Sequence, residues 1–283
     1  MISIGVILFS LLLVSFTKFS SNHTLLFEGV LTDGADLYVS RKSGNDNWPC
    51  DLSSPYETIL RAVNLASSED HIYLDGANTN KNPYTCHVTQ PHTGTLYINK
   101  SLTFVRFGSI PQIRCLNWTI FDGSNSGLEV NVTLSELLIN DTFVTFRDSS
   151  AVVDGCEFVG NRQRVVFTVA NRSFVSIRIW NSLFRKNSSG LSVAVGSTER
   201  RTKSHVVLDV KDTIFRDTFV VSEVEIGNLI KIQSSYSVGF DLRLDNVTFS
   251  NNLVSRMGLV YVNVMASNLN IFLKDVFVTG NNH

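Results

Sequence analysis

One pattern recurs six times between Val130 and Asn281, and a chain that repeats must fold as something that repeats. Its clearest copy is VSIRIWNSLFRKN, Val175 to Asn187. With Asn181 as position zero, apolar residues stand at −6, −4 and −2, another at +3, and a small polar residue at +6. VVLDVKDTIFRDT (from Val206), FDLRLDNVTFSNN (from Phe240) and LNIFLKDVFVTGN (from Leu269) carry the same pattern. Two looser copies precede them: Val130, Val132, Leu134, Glu136, Ile139, Thr142, and Ser149, Ala151, Val153, Gly155, Phe158, Asn161. The intervals between copies are unequal, so loops vary around a constant framework.

Alternation at −6, −4 and −2 is a strand with one buried face. At zero stand Glu136, Gly155, Asn181, Asp212, Asn246 and Asp275. Apart from the glutamate, these types tolerate left-handed dihedrals and bend the chain. The +3 residue re-enters the core on a second strand, and the +6 residue ends it. A further alternating strand precedes each later copy, at Val166–Val169, Leu191–Val195, Leu229–Ile232 and Leu259–Val264. Three short strands per repeat, stacked coil on coil, predict an all-β right-handed parallel β-helix, in which each coil's apolar face is buried by its neighbours. A β-sandwich and a propeller are the alternatives; a propeller needs more strands per repeat and more regular periods. Inside, like residues should form ladders: Phe158, Phe184, Phe215 and Phe249 in one column, and Asn181, Asp212, Asn246 and Asp275 at the bend.

Upstream, SPYETILRAVNLASSEDHIYLDG predicts a helix over about 56–67, with Ser54 as N-cap, Pro55 in the first turn and Ile59, Leu60, Val63 and Ala66 on its apolar side. Such a helix would cap the first edge of the stack. The apolar run Ile4 to Phe16 is shorter than the ~20 residues that span a bilayer and fits a signal-peptide core. The expected organisation is a signal peptide over 1–17, a lead-in over 18–53, and the capped β-helix over 54–283. The sequence given ends just after a repeat with no capping helix, so the C-terminal coil is expected to meet a partner, a second copy or further chain.

Secretion fits two other features. Sequons stand at Asn22, Asn99, Asn117, Asn131, Asn140, Asn171, Asn187 and Asn246. Four cysteines, Cys50, Cys86, Cys115 and Cys156, allow two disulfides in an oxidising compartment, with Cys50–Cys86 and Cys115–Cys156 the favoured pairs of three connectivities. None forms a C-x-x-C zinc motif. A net charge of −1 implies neither bulk electrostatic binding of nucleic acid nor a highly acidic mineral-binding surface.

YVSRKSGNDNWPC, TILRAVNLA, EDHIYLDG and LYINKSLTFVRFG together resemble the start of secreted pectin-lyase-like β-helix proteins. The units FVGN at Phe158, FRKN at Phe184 and FSNN at Phe249 are similar to F-x-x-N repeats of chlamydial polymorphic outer-membrane proteins, which are adhesins. Single glycines at Gly190 and Gly258 stand where that family has G-G-A-I. The chain as a whole resembles extracellular β-helix proteins of cnidarians, some of the skeletal organic matrix. These resemblances imply the fold and an extracellular setting; one fold hosts many functions.

Glycoside hydrolysis needs two carboxylates across the sugar bond, and the inverting members of the superfamily carry paired aspartates, N-T-D and G-H-G. None of these is present, and Glu136, Asp212 and Asp275 belong to separate repeats. Six histidines are scattered at 23, 71, 87, 92, 205 and 283. Asp46 and Asp51 read as a polar turn ahead of a calcium site, and Thr198–Lys203 (TERRTK) as a solvated basic loop. Trp180 and Arg178 point outward and are the binding candidates within the clearest repeat. The sequence thus predicts a secreted, glycosylated, non-catalytic β-helix scaffold with no cofactor, no metal site and no nucleic-acid partner. Its expected partner is an extracellular protein or glycan, with end-to-end self-association at the C-terminal coil. A carbohydrate-active enzyme with a non-standard site is the rival.

Overall fold

The computed structural model describes residues 34–85, 96–115, 118–124, 129–161, 165–170, 172, 174–188, 190–196, 204–219, 228–235, 238–254 and 258–281. The expected signal segment, Cys86, the sequons at Asn22, Asn117 and Asn171, and the run Thr198–Lys203 lie outside them. In chain order come β1 (Asp36–Ser40), α1 (Ile59–Leu65), β2 (Asp70–Asp75), β3 (Leu96–Ile98), β4 (Leu102–Phe107), β5 (Gln112–Ile113) and β6 (Trp118–Asp122). Then follow β7 (Val130–Ser135), β8 (Leu138–Asn140), β9 (Phe143–Arg147), β10 (Ser149–Asp154), β11 (Glu157–Val159), β12 (Val165–Val169) and β13 (Phe174–Trp180). The last are β14 (Leu183–Arg185), β15 (Leu191–Val195), β16 (His205–Arg216), β17 (Ile230–Ser234), β18 (Val238–Ser250), β19 (Val260–Asn263) and β20 (Ala266–Thr279).

These strands wind into a right-handed parallel β-helix with three faces. The first face stacks β1, β2, β4, β7, β10, β13, β16, β18 and β20, so pairing begins ahead of residue 54, inside the expected lead-in. The second face stacks β5, β8, β11 and β14 and continues on the distal ends of β16, β18 and β20; the third stacks β3, β6, β9, β12, β15, β17 and β19. Successive repeats are in register: Ile177 lies between Ala151 and Leu208, and Phe184 between Phe158 and Phe215.

Position zero is the corner between the first two faces, and all six residues there have left-handed φ: Glu136 56°, Gly155 62°, Asn181 50°, Asp212 48°, Asn246 53° and Asp275 50°. The column, however, lies outside rather than inside. A left-handed residue interrupts the strand's alternation, so the next side chain turns inward instead: Leu137, Cys156, Ser182, Thr213 and Val247 are all buried. Asn181 and Asn246 face solvent and bridge coils there, with Nδ2 donating to Asp154 (2.8 Å) and Asp212 (2.7 Å).

A second left-handed corner follows at +5, in Asp141, Gly160, Lys186, Asp217, Asn251 and Gly280. It directs the +6 residue inward, so the polar ladder is formed by Thr142, Asn161, Asn187, Thr218 and Asn252, all buried, and by the half-buried Asn281. Asn161 Oδ1 accepts from Thr142 N–H (2.7 Å), Asn187 Oδ1 from Asn161 N–H (2.9 Å), Asn252 Oδ1 from Thr218 N–H (3.1 Å) and Asn281 Oδ1 from Asn252 N–H (2.9 Å). These four amides belong to tight turns and have no strand partner, so the ladder meets four otherwise unmet donors. Asn187 is 2% exposed, and its Nδ2 donates to Phe158 O at 3.1 Å. Its sequon is therefore inside the folded coil, and a glycan there has no route to solvent.

Two phenylalanine columns fill the interior. Phe158, Phe184, Phe215 and Phe249 stack at 4.6, 4.7 and 5.3 Å, as the repeat predicts. A second column on the third face joins Phe121, Phe146 and Phe167 at 4.9 and 4.5 Å. Each buried ring contributes on the order of 1.5–3 kcal/mol. On the same face Gly190 lies so close to the next coil that a Cβ would sit 1.9 Å from Leu229 O, which excludes any side chain.

At the N-terminal end the helix starts later than its sequence suggests. Pro55 and Tyr56 stay extended because Tyr56 bridges to Val39 of β1. Asp46 then captures the N–H groups of Glu57 and Thr58 and the Thr58 hydroxyl, so Thr58, not Ser54, is the N-cap. Ile59, Ala62 and Val63 are buried; Ile59 lines an apolar cavity of the interior together with Phe104, Leu137 and Val144.

Neither favoured disulfide forms. Cys50 and Cys156 are free and buried in the stack, their Sγ atoms bonded to Tyr38 O (3.3 Å) and Leu134 O (3.4 Å). Cys115 is disulfide-bonded, and each expected pair needed one of the two free thiols. Cys156 occupies the inward +1 column, where it packs as a small apolar residue.

Candidate functional site

The third face carries a cluster that links three chemistries. Phe121 and Phe146 stack inside, and because side chains alternate, the residues after them turn outward as cross-strand neighbours: Asp122 on β6 and Arg147 on β9. Tyr97 of β3 reaches across, its hydroxyl donating to Asp122 Oδ2 at 2.8 Å. Ser124 donates its N–H (2.8 Å) and hydroxyl to Asp122 Oδ1. Arg147 Nη1 stands 3.9 Å from Oδ2, with its side chain 46% exposed against 5% for Asp122.

Burial pushes the Asp122 carboxyl up, but the bonds from Ser124, then Tyr97 and the Arg147 charge, outweigh it and hold the group below the usual carboxylate range. An ionised Asp122 orients Arg147 and accepts hydrogen bonds; it is not a proton donor at neutral pH. The cluster supplies one carboxylate, one guanidinium and one phenol, whereas glycoside hydrolysis uses two carboxylates. The sequence offered no motif for it, since Asp122 and Arg147 sit in unremarkable FDG and FRD segments. The stacked Phe121 and Phe146 were the available signal.

The expected candidates fall elsewhere. Asp46 and Asp51 are turn residues: Asp51 Oδ1 accepts from Ser53 and Ser54, and Asp46 braces the N-cap Thr58. Among the described histidines, His71 lies 3.4 Å from Asp36 and His205 3.3 Å from Asp241. Trp180 points outward with the Arg178 guanidinium 5.6 Å from its ring centroid, so the two outward candidates of the clearest repeat pack on each other. Among the described residues no three His, Cys, Asp or Glu side chains gather as metal ligands. Of the described sequons, Asn99, Asn131 and Asn246 are exposed, Asn140 is half-buried and Asn187 is buried.

Several other outward carboxylates bridge coils. Arg106 meets Glu136 (2.8 Å), Arg114 meets Asp141 (3.3 Å), Arg185 meets Glu157, Lys274 meets Asp245 (3.1 Å) and Asn270 meets Asp241 (2.7 Å). On β20 the inward-column residues Ile271, Leu273 and Val278 are 41–45% exposed, and beside them Phe272 and Phe277 are open to solvent. Its outer edge pairs with no described strand.

No protein-family model matches the chain, and no curated protein matches it. Among solved structures it is similar to a rhamnogalacturonan lyase, at 12% identity over 84% of this chain and 87% of that one, with a TM-score of 0.31. It is also similar to the lacto-N-biosidase of glycoside hydrolase family 136 from Eubacterium ramulus (9%, 84% and 68%, TM-score 0.27). The alginate lyase from Paenibacillus sp. str. FPU-7 is a third (10%, 88% and 99%, TM-score 0.26).

Proposed function

We propose that the chain is a secreted, glycosylated, non-catalytic β-helix scaffold for extracellular interaction or matrix assembly. The observation that carries this reading is the use of its outward polar residues. Glu136, Asp141, Asp154, Glu157, Asp212, Asp241 and Asp245 each bond to a side chain of an adjacent coil. Carboxylates arranged this way tie the rod together and are not free to face each other across a substrate. The apolar first residues support export. The partner is an extracellular protein or glycan, and the exposed apolar edge of β20 supports end-to-end self-association.

A second reading, a carbohydrate-active enzyme with a non-standard site, is favoured by Tyr97, Asp122 and Arg147 alone. Incubating the purified protein with polyuronides, sulfated glycans and neutral glycans, with and without calcium, separates the two. Bound glycan without released product supports the scaffold. Product whose release is lost in Arg147→Ala would establish the enzyme and sink the scaffold.

A further inference from the structure

We propose that the outer face of β1, β2 and β4 is a binding site for an uncharged saccharide. This deepens the scaffold reading, on which it rests, by assigning the glycan a place and a class. Side chains alternate along β2, so Tyr73 and its cross-strand partner Tyr38 on β1 project outward. Their rings stack at 5.0 Å with planes 15° apart. Phe107 of β4 stands edge-on to Tyr38 at 5.7 Å and is 42% exposed. Three neighbouring aromatics on the outside of a sheet contribute nothing to the core, which Val39, Ile72, Leu74 and Phe104 fill from the other side. Later coils place Asp154, Trp180, Lys211, Asp245 and Lys274 in the Tyr73 column, so the patch is confined to this end of the face.

The surroundings select the ligand. Neither tyrosine hydroxyl bonds to a described residue, which leaves both free to meet ligand hydroxyls. Asp75, between Ser40 and Phe107 in the next column, accepts from Ser40 Oγ (2.9 Å) and Ala77 N–H (2.8 Å) and keeps lone pairs toward solvent. Asp36 flanks the patch beside His71, and Arg106 is closed onto Glu136. The carboxylates at the patch, Asp36 and Asp75, disfavour polyuronides and sulfated chains. Aromatic rings with hydroxyl acceptors and an anion-repelling rim match a neutral pyranose chain, whose C–H faces pack on rings and whose hydroxyls donate outward.

The test is titration calorimetry with cellohexaose, chitohexaose and mannohexaose, with trigalacturonate and choline as charged comparators. At least one neutral oligosaccharide is expected to bind, and Tyr73→Ala and Phe107→Ala should each weaken it tenfold or more. Ile214→Ala, on the second face, should leave it unchanged. Melting temperature and circular dichroism confirm that each variant folds, and Tyr73→Phe, which removes only the hydroxyl, gives a milder second arm. Absence of neutral binding, binding indifferent to both aromatic variants, or binding of trigalacturonate or choline in its place would each overturn the site. Those results leave the scaffold reading standing, whereas glycan cleavage would overturn that reading instead.

Discussion

Asn181 shows how much one backbone angle decides. Its φ of 50° ends one strand, starts the next and turns Ser182 inward. A β-branched residue there should cost about 1–2 kcal/mol, while glycine accepts the angle freely. Asn181→Val is thus expected to lose that much stability in urea unfolding, and Asn181→Gly to stay within about 0.5 kcal/mol of wild type. The corner was legible because Gly, Asn and Asp recur at zero. Its outward direction was not, because alternation counted through a left-handed residue gives the wrong side. The second corner was hidden by its mixture of Asp141, Gly160, Lys186 and Asn251. Cys156 makes a different prediction at the same scale. Burial pushes its thiol up to about 12. An unfolded thiol ionises near pH 8.5. Between those values the unfolded state releases a proton that the folded state keeps, so stability should fall as pH rises, by up to ~1.4 kcal/mol per pH unit. Cys156→Ala should flatten that alkaline slope, and an unchanged slope would place the titrating group elsewhere.

Stacked columns are the elements that hold successive coils in place. Phe215 is fully buried between Phe184 and Phe249, and Phe215→Ala should cost about 3–5 kcal/mol, read as the shift in the denaturation midpoint. In the polar column Asn252 donates to Phe215 O (2.9 Å) and Asn281 Oδ1 (2.8 Å) and accepts from Thr218 N–H. Asn252→Ala leaves Phe215 O and Thr218 N–H unmet at about 1–3 kcal/mol each, and Asn252→Asp should not restore stability, because it lacks the donor. The same column governs modification: secreted, folded protein from a glycosylating host should carry no glycan at Asn187, and a glycopeptide there would contradict the inward turn at +6. The Phe158 to Phe249 column could be read directly from the repeat, since one residue type held one offset. The Tyr97, Asp122 and Arg147 cluster could not, because it joins residues from three coils whose third-face strands have no constant spacing. The Tyr38, Tyr73 and Phe107 patch escaped for the same reason, its members lying ahead of the first repeat.

At the scale of the whole molecule, the solenoid is a one-dimensional stack in which each coil is stabilised by its neighbours. Pairing runs unbroken from β1 to β20, with the phenylalanine column of the repeat spanning four coils and the polar ladder, threonine at two positions and asparagine at four, spanning six. The open apolar edge of β20 predicts concentration-dependent association: sedimentation should show species larger than the monomer, and Leu273→Lys should shift them back to it. The central claim is that the recurring asparagines and the corners around them are architecture shared by the coils rather than a site. Hydrogen exchange followed by mass spectrometry over the full chain tests it most directly. The corner amides of Thr142, Asn161, Thr218 and Asn252, bonded to the asparagine of the next coil, are predicted to exchange as slowly as the strand amides around them. Fast exchange at those corners, with the strands still protected, would contradict the account.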